Sequence, residues 1–282
     1  MEDICAVIVT YNPEIKLIYN VEALLPQVDQ VIIIDNGSSI GSEVFLDVVK
    51  NKSHVTIHYF KYNKGLAAGL NYGVEIAKKN GYSWCLLLDQ DSIASKNYIK
   101  NMLDTYEECI GKEKIAIIVP TYEKQKNSYL DSGTPLCQEV DAAYTSGSLV
   151  KISVFDRIGM FEESLFIDYI DFEFCLRCRH NGLRIIKATR AILIHSVGNP
   201  VKINVMGLSI FSNNHNSMRK YFNARNRIIV YRRYFNIYPF WCLKDIGRFA
   251  KDILKLALAE NDKIKKIIEI MRGVYDGFAW VL

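Results

Sequence analysis

No apolar run in these 282 residues reaches the roughly 18–20 positions needed to cross a bilayer. The first apolar stretch, Ile4 to Val9, is too short and wrongly flanked for a signal peptide. A cytosolic chain is expected. A disulfide framework is not indicated either. Seven cysteines is an odd number, and Cys5, Cys85, Cys109, Cys137, Cys175, Cys178 and Cys242 sit mostly in apolar segments, where a reduced thiol behaves as a small hydrophobe. The chain has no internal repeat and no low-complexity tract. A Gly-X-Gly-X-X-Gly fingerprint is missing, which leaves a dehydrogenase reading little support. So is the early glycine-rich, basic phosphate loop of a nucleotidyltransferase, since Thr10-Tyr11-Asn12-Pro13 stands there instead. No recognised motif for nucleic acid accompanies the basic residues, so none is expected as a partner.

Half of the residues are hydrophobic, enough to bury one large domain or one domain with an appendage. Ile4–Val9, Val31–Ile34, Val55–Tyr59, Trp84–Leu88 and Ile115–Val119 are short apolar runs, often β-branched, as buried parallel strands are. Leu66, Leu70 and Val74 recur between the third and fourth runs at helical spacing. The alternation predicts an open, mostly parallel α/β sheet with helices on both faces, and in such sheets ligands bind beyond the carboxyl ends of the strands. The boundaries expected are 1–200 for this domain, in two halves over about 1–120 and about 121–200. A helical region would follow over 201–282. Gly198-Asn199-Pro200 and a shift of charge mark the division: residues 219–282 carry a net +8 and residues 1–218 a net −4.

Several residues at the predicted strand ends can carry chemistry, and each also has a structural use. Asp89 and Asp91 flank Gln90 after Trp84–Leu88. Two hard carboxylates on one turn suit Mg²⁺ or Mn²⁺ bridging a protein to a diphosphate, while Asp91 or Ser92 could instead cap a helix starting near Ser95. Asp35 opens the turn Asn36-Gly37-Ser38-Ser39 and could accept the imide N–H of uracil or thymine, or close an Asx-turn on its own backbone. The stretch Asn63-Lys64-Gly65 to Asn71 is a glycine-rich helix entry that could face a phosphate or nucleoside. Asp171 falls at a helix start, as cap or general base, with Glu173 on another face. His195 could complete a metal sphere, touch a phosphate, or serve structurally. Cys175-Leu176-Arg177-Cys178 has redox spacing but no second pair, so core cysteines are favoured. Arg225 could steer a diphosphate or lie on a solvated face.

Taken in order, the motifs resemble those of glycosyltransferase family 2. They are Val9-Thr10-Tyr11-Asn12, Ile34-Asp35-Asn36-Gly37-Ser38-Ser39, Asn63 to Asn71, Asp89-Gln90-Asp91, Ser146-Gly147-Ser148, Asp171 with Cys175-Leu176-Arg177, and His195-Ser196-Val197-Gly198. Tyr221-Phe222-Asn223-Ala224-Arg225-Asn226 and Gly273-Val274-Tyr275-Asp276-Gly277 resemble its bacterial rhamnosyltransferase branch. The resemblance implies the GT-A fold, with a donor-binding half over about 1–120 and an acceptor half over about 121–200, and a donor site using Thr10, Tyr11, Asn12, Asp35, Asn63, Gly65, Asp89, Gln90 and Arg225. It implies a divalent cation, Mg²⁺ or Mn²⁺, on Asp91 and Asp89 with His195, and Asp171 as the catalytic base. Where the family commonly has an acid before that base, this chain has Ile170.

One base without a positioned protein nucleophile implies inversion at the anomeric carbon. The implied donor is a nucleotide-diphosphate sugar, dTDP-L-rhamnose foremost, and the implied acceptor a lipid-linked saccharide of O-antigen or capsule type. A non-catalytic nucleotide-sugar binding protein and a nucleotidyltransferase are the alternatives. Phe240, Trp241, Leu243, Ile246, Phe249, Ile253, Leu254 and Leu256–Leu258 recur near helical spacing, with Lys244, Arg248, Lys251 and Lys255 among them. The stripe could be core, a homodimer contact, or a peripheral anchor to an anionic membrane on the cytoplasmic face of the inner membrane.

Overall fold

The computed structural model describes residues 3–123, 137–195, 201–205, 208–212 and 214–281, with the backbone alone at 195, 201–205 and 208–212. Its contacts divide the chain into two units, Met1–Phe166 with Ile170–His195, and Ile167–Tyr169 with Ser196–Leu282.

The first unit begins with β1 (Ile4–Thr10), α1 (Lys16–Leu24), β2 (Gln30–Asp35), α2 (Glu43–Lys50), β3 (Val55–Tyr59), α3 (Leu66–Lys79) and β4 (Trp84–Asp89). The strands lie in the order β3-β2-β1-β4, all parallel. Because β1 is buried throughout, its side chains alternate between two apolar surroundings. Ile4, Ala6 and Ile8 join a core with Leu17, Val21, Leu24, Leu46 and Val49 of α1 and α2. On the other face Val9 and Val7 meet α3 at Gly69 and Gly73; a Cβ on Gly69 would sit 2.7 Å from Val9 Cγ1, and one on Gly73 would collide with Val7. Gly69, in the helix entry, and Gly73, just beyond it, are therefore helix–sheet packing residues.

The sheet continues with β5 (Ser92–Ala94), α4 (Tyr98–Glu108), β6 (Ile115–Tyr122), β7 (Cys137–Glu139), β8 (Ser148–Lys151), α5 (Ile152–Ile158), α6 (Ile170–His180) and β9 (Arg184–His195). β8 pairs antiparallel with β4 and β6, β6 runs parallel to β9, and β5 and β7 pair antiparallel with β9. The sheet is thus parallel over β3-β2-β1-β4 and mixed beyond β4. The short strand β5 replaces the helix start expected near Ser95, because Ser92 is buried in register with His195 and the helix begins at Tyr98. Cys109 and Cys137 are joined as a disulfide, contrary to the expectation of reduced thiols throughout. Spacing along the chain does not show that the end of α4 and the start of β7 meet, with Cα atoms 5.9 Å apart. The other five cysteines are free and buried.

The second unit holds β10 (Val201–Val205) and β11 (Leu208–Ser212), an antiparallel pair, and the helices α7 (Ser217–Tyr234), α8 (Pro239–Ala259) and α9 (Lys263–Ala279). Asn216 caps α7 by accepting from Arg219 N at 2.8 Å. Gly273 and Gly277 let α9 lie directly on α7, where a Cβ on Gly277 would come within 2.7 Å of Arg225 O and of Ile228 Cβ. The motif Gly273-Val274-Tyr275-Asp276-Gly277 is accordingly a helix-packing device, completed by Tyr221 Oη donating to Asp276 at 2.7 Å.

Candidate functional site

Three loops at the carboxyl ends of β1, β2 and β4 are laced together by side-chain to backbone bonds. Thr10 and Asp35 are register partners, and Thr10 Oγ1 donates to Asp35 Oδ1 at 3.0 Å. Asp35 also accepts from Ser38 N at 3.1 Å and from Ser38 Oγ, so its carboxylate closes on its own turn, three residues on where an Asx-turn would bond two residues on. Asn12, in the left-handed region at φ 48°, accepts from Ser39 N at 2.8 Å, and its own N–H donates to Ser38 Oγ at 2.8 Å. Gln90 pairs with the backbone of Tyr11 in both directions, at 2.9 and 3.3 Å, which ties the Asp89-Gln90-Asp91 turn to the first loop. Tyr11 itself remains about half exposed.

The glycine-rich entry of α3 faces protein where the sequence left open a phosphate. Asn63 accepts from Asn36 Nδ2 at 3.1 Å and from Gly65 N at 2.9 Å. Leu66 N, the first donor of α3, goes to Phe166 O at 2.7 Å, and Gly65 at φ 93° has Phe166 O 2.8 Å from where a Cβ would stand. Gly37 likewise approaches backbone, that of Tyr62, and not an open face. Asn71 fastens α3 to the loop before α6, donating to Phe161 O at 3.0 Å and accepting from Phe161 N at 2.9 Å.

Asp171 lies in the first turn of α6, half-buried, and accepts from Phe172 N at 2.9 Å. A link between this helix and β4 runs through Tyr122 at the end of β6. Burial raises the Tyr122 hydroxyl well above its ordinary pKa, and the negative charges of Asp89 and Asp171 add to the rise. Both carboxylates are therefore within electrostatic reach of one hydroxyl, which donates to Ser146 O at 3.1 Å. Ser146 in turn accepts from Asp89 N at 3.2 Å and lies 3.0 Å from Ser92 Oγ. Tyr122 and Tyr144 escape sequence reasoning because neither sits in a recognisable motif; their placement depends on pairing of distant strands.

Cys175 and Cys178 are buried, and burial pushes the Cys175 thiol up to about 12, which fits core cysteines and not redox ones. Among the described residues no group of three or more His, Cys, Asp or Glu could hold a metal ion. Two carboxylates on one turn remain a fitting donor set for a cation that takes its other ligands from phosphate and water. The side chain of His195 lies outside the described residues, as do Ser196-Val197-Gly198 and the division at Gly198-Asn199-Pro200.

The family model described as Glycosyl transferase family 2 matches residues 5–110, spanning β1 through the end of α4. The stretch so matched, a little over a third of the chain, is similar to a family 2 glycosyltransferase domain. The chain is 28% identical over 253 residues to the dTDP-rhamnosyl transferase RfbF of Shigella flexneri, covering 82% of this chain and 80% of that one. It is 26% identical over 220 residues to the low-salt glycan biosynthesis hexosyltransferase Agl10 of Haloferax volcanii, covering 70% and 68%. The fold is similar to that of GalNAc-T7 crystallised with UDP, GalNAc and Mn²⁺, with a TM-score of 0.63, 12% identity and 86% of this chain covered. The chain spans half the length of that structure. S. aureus TarS 1–349 matches with a TM-score of 0.53 and 12% identity over 99% of this chain and 72% of that one. The GT-A expectation, the enzyme class and the rhamnosyltransferase-like affinity all stand.

In the second unit of this glycosyltransferase, Arg225 is 7% exposed, and its guanidinium stands over the rings of Phe222 at 4.8 Å and Trp280 at 5.1 Å. It is not on a solvated face. Its neighbour Asn226, quoted in the same motif, donates to the carbonyls of Ile167 and Asp168 at 2.8 and 2.9 Å. Arg219 forks onto the Asp168 carboxylate, with the closest contact at 2.9 Å. Tyr169 and Tyr231 both donate to Asp245, at 2.5 and 2.8 Å. These bonds hold Asp168 and Tyr169 in the left-handed region, at φ 63° and 65°.

Proposed function

We propose that this glycosyltransferase moves a sugar, L-rhamnose from dTDP-L-rhamnose, onto a hydroxyl of a lipid-linked saccharide with inversion. One observation supports the reading: Tyr122 stands between the turn of Asp89 and Asp91 and the start of α6 in a single unit, donating to Ser146 O while Ser146 Oγ accepts from Asp89 N, and reaching Phe172, the residue after Asp171, through the ring of Tyr144. Such a site has an acidic turn for a diphosphate and a separate carboxylate for the acceptor. The similarity to a dTDP-rhamnosyl transferase supports the choice of donor.

Asp35 keeps a free acceptor position among the roughly four of a carboxylate, enough for the imide N–H of thymine beside Tyr11. Asp91 and Asp89 would hold Mg²⁺ or Mn²⁺. Bound there, the cation would stabilise charge on the leaving diphosphate. Asp171 takes the proton of the acceptor hydroxyl as that oxygen displaces the nucleotide diphosphate. No covalent sugar–enzyme intermediate is required, so the anomeric configuration inverts. Arg225 is left as a packing residue.

The acceptor's lipid would keep the enzyme at the cytoplasmic face of the inner membrane. No helix among the described residues is long and apolar enough to cross a membrane. The expected C-terminal stripe divides in the structure. Trp241 and Leu256 are buried, whereas Phe240, Leu243, Ile246, Leu254 and Leu258 are exposed on α8. Lys244, Arg248, Lys251 and Lys255, also exposed, flank them. Each basic residue near an anionic leaflet contributes about 1 kcal/mol. In a reducing cytoplasm Cys109 and Cys137 would be two adjacent thiols, and no step uses them.

Turnover of radiolabelled dTDP-L-rhamnose with a lipid-linked acceptor extract, with and without Mn²⁺, tests the reading. Metal-dependent incorporation into the lipid fraction is expected. Tight donor binding without incorporation would favour a non-catalytic binding protein.

A further inference from the structure

The loop before β8 displays an aromatic ring that the donor chemistry does not use. Tyr144 is 58% exposed, yet the backbone on either side of it is firmly held. Ala143 O accepts from Cys175 Sγ at 3.7 Å, and Tyr144 O from Ser148 Oγ at 2.7 Å. Gly147 N donates to Leu87 O at 2.7 Å, and Gly147 O accepts from Tyr98 Oη at 2.6 Å. Gly147 itself sits at φ 83° with Tyr98 Oη 2.6 Å from where a Cβ would be, so this anchor admits glycine alone. A loop so tied does not swing its ring into a core, and the exposure of Tyr144 is built in.

The ring has company on one side. Its centroid is 5.5 Å from that of Phe172, the residue after Asp171, and 6.1 Å from that of Tyr122. The three rings thus form a supported aromatic wall beside the carboxylate assigned as base. An exposed, rigid aromatic surface at a catalytic carboxylate calls for an apolar ligand face that nonetheless carries hydroxyls. A pyranose has that form: C–H bonds cover its faces and carry partial positive charge, complementary to the negative face of an aromatic ring, while its hydroxyls project around the rim.

We propose that Tyr144, backed by Phe172 and Tyr122, is the platform on which a pyranose ring of the acceptor stacks, with one rim hydroxyl turned to Asp171. The proposal rests on the reading of Asp171 as the base. It assigns the loop to the acceptor and not to the nucleobase, whose candidate partners Tyr11 and Asp35 lie at the ends of β1 and β2. Stacking selects a six-membered ring, and the hydroxyls select among such rings.

Saturation-transfer NMR on the full chain with Mn²⁺ and dTDP tests this with methyl pyranosides of rhamnose, glucose and galactose, against the open-chain alditol sorbitol. Wild type should bind at least one pyranoside and not sorbitol. Tyr144→Ala should weaken that binding at least tenfold and Tyr144→Phe less than twofold, since the ring matters and not the phenol. dTDP affinity and the slow hydrolysis of dTDP-L-rhamnose by water should be the same in all three proteins, because water does not stack. Full pyranoside binding by Tyr144→Ala, no binding of any pyranoside by wild type, or a matching loss of dTDP affinity in Tyr144→Ala would each overturn the proposal. Failure of wild type to hydrolyse the donor would strike the transferase reading instead, while the pyranoside arm still judges the platform.

Discussion

Arg177 grips both carboxylate oxygens of Glu173 one turn along α6, at 3.1 and 2.8 Å, and donates as well to the carbonyls of Ile158 and Met160 at 2.7 and 2.8 Å. Glu173 is 1% exposed, so its charge is matched inside the protein. Asp171, two residues earlier and on a different face of the helix, is half-buried. Two acids so close in sequence thus stand in different surroundings: Glu173 is held by the Arg177 that pins the loop before the helix, and Asp171 accepts from Phe172 N in the first turn.

Replacing Arg177 by Ala leaves a buried carboxylate without its partner. Unfolding in urea should show a loss of about 3 kcal/mol, the lower end for a broken buried pair because Arg177 is partly exposed. A variant as stable as wild type would show that the Glu173–Arg177 pair is not structural.

Asp171→Asn should keep the fold and the affinity for dTDP-L-rhamnose while lowering kcat by about two to four decades, the range for loss of a positioned general base. Comparing steady-state kinetics with calorimetric donor binding separates the two quantities. Unchanged kcat would make Asp171 a helix cap.

Asp91→Asn should abolish the Mn²⁺ dependence of donor binding, since it removes one of the two anionic groups on the turn after β4. Titrating dTDP-L-rhamnose with and without Mn²⁺ checks this. Wild-type affinity together with wild-type metal dependence would move the cation elsewhere.

Vesicle sedimentation decides the role of the exposed face of α8. The full chain should pellet with vesicles containing anionic lipid at low salt and be released as salt shortens the Debye length. Charge reversal at Lys251 and Lys255 should weaken binding several-fold. No preference for anionic over neutral vesicles would leave this face to a second copy of the chain.

The predicted runs Ile4–Val9, Val31–Ile34, Trp84–Leu88 and Ile115–Val119 fall within β1, β2, β4 and β6, because strands buried on both faces leave an unbroken apolar signature, and Val55–Tyr59 matches β3, a partly exposed strand. The loops after β1, β2 and β4 were legible for the same reason, as the polar residues that interrupt such runs. Gly69 sits in a helix entry open to a phosphate from the sequence, yet it packs on Val9, as Gly73 beyond the entry packs on Val7. Close approach explains a glycine equally well whether the neighbour is a phosphate or Val7, and composition does not say which. Ser92 pairs in a strand and does not cap a helix, since its partner His195 is a hundred residues away. Tyr122 and Tyr144 reach the site by the same kind of distant pairing. Arg225 is open in the sequence between steering a diphosphate and lying on a solvated face, and its burial against Phe222 and the remote Trp280 is set by packing that the motif does not carry.

The anomeric configuration of the product, read by NMR from a reaction run to low conversion, tests the central claim most directly. One base and no protein nucleophile predict a product whose anomeric configuration is opposite to that of the sugar in the donor, formed when Mn²⁺ is present and lost in Asp171→Asn. A product with the donor's own configuration, formed at an unchanged rate by Asp171→Asn, would contradict the account.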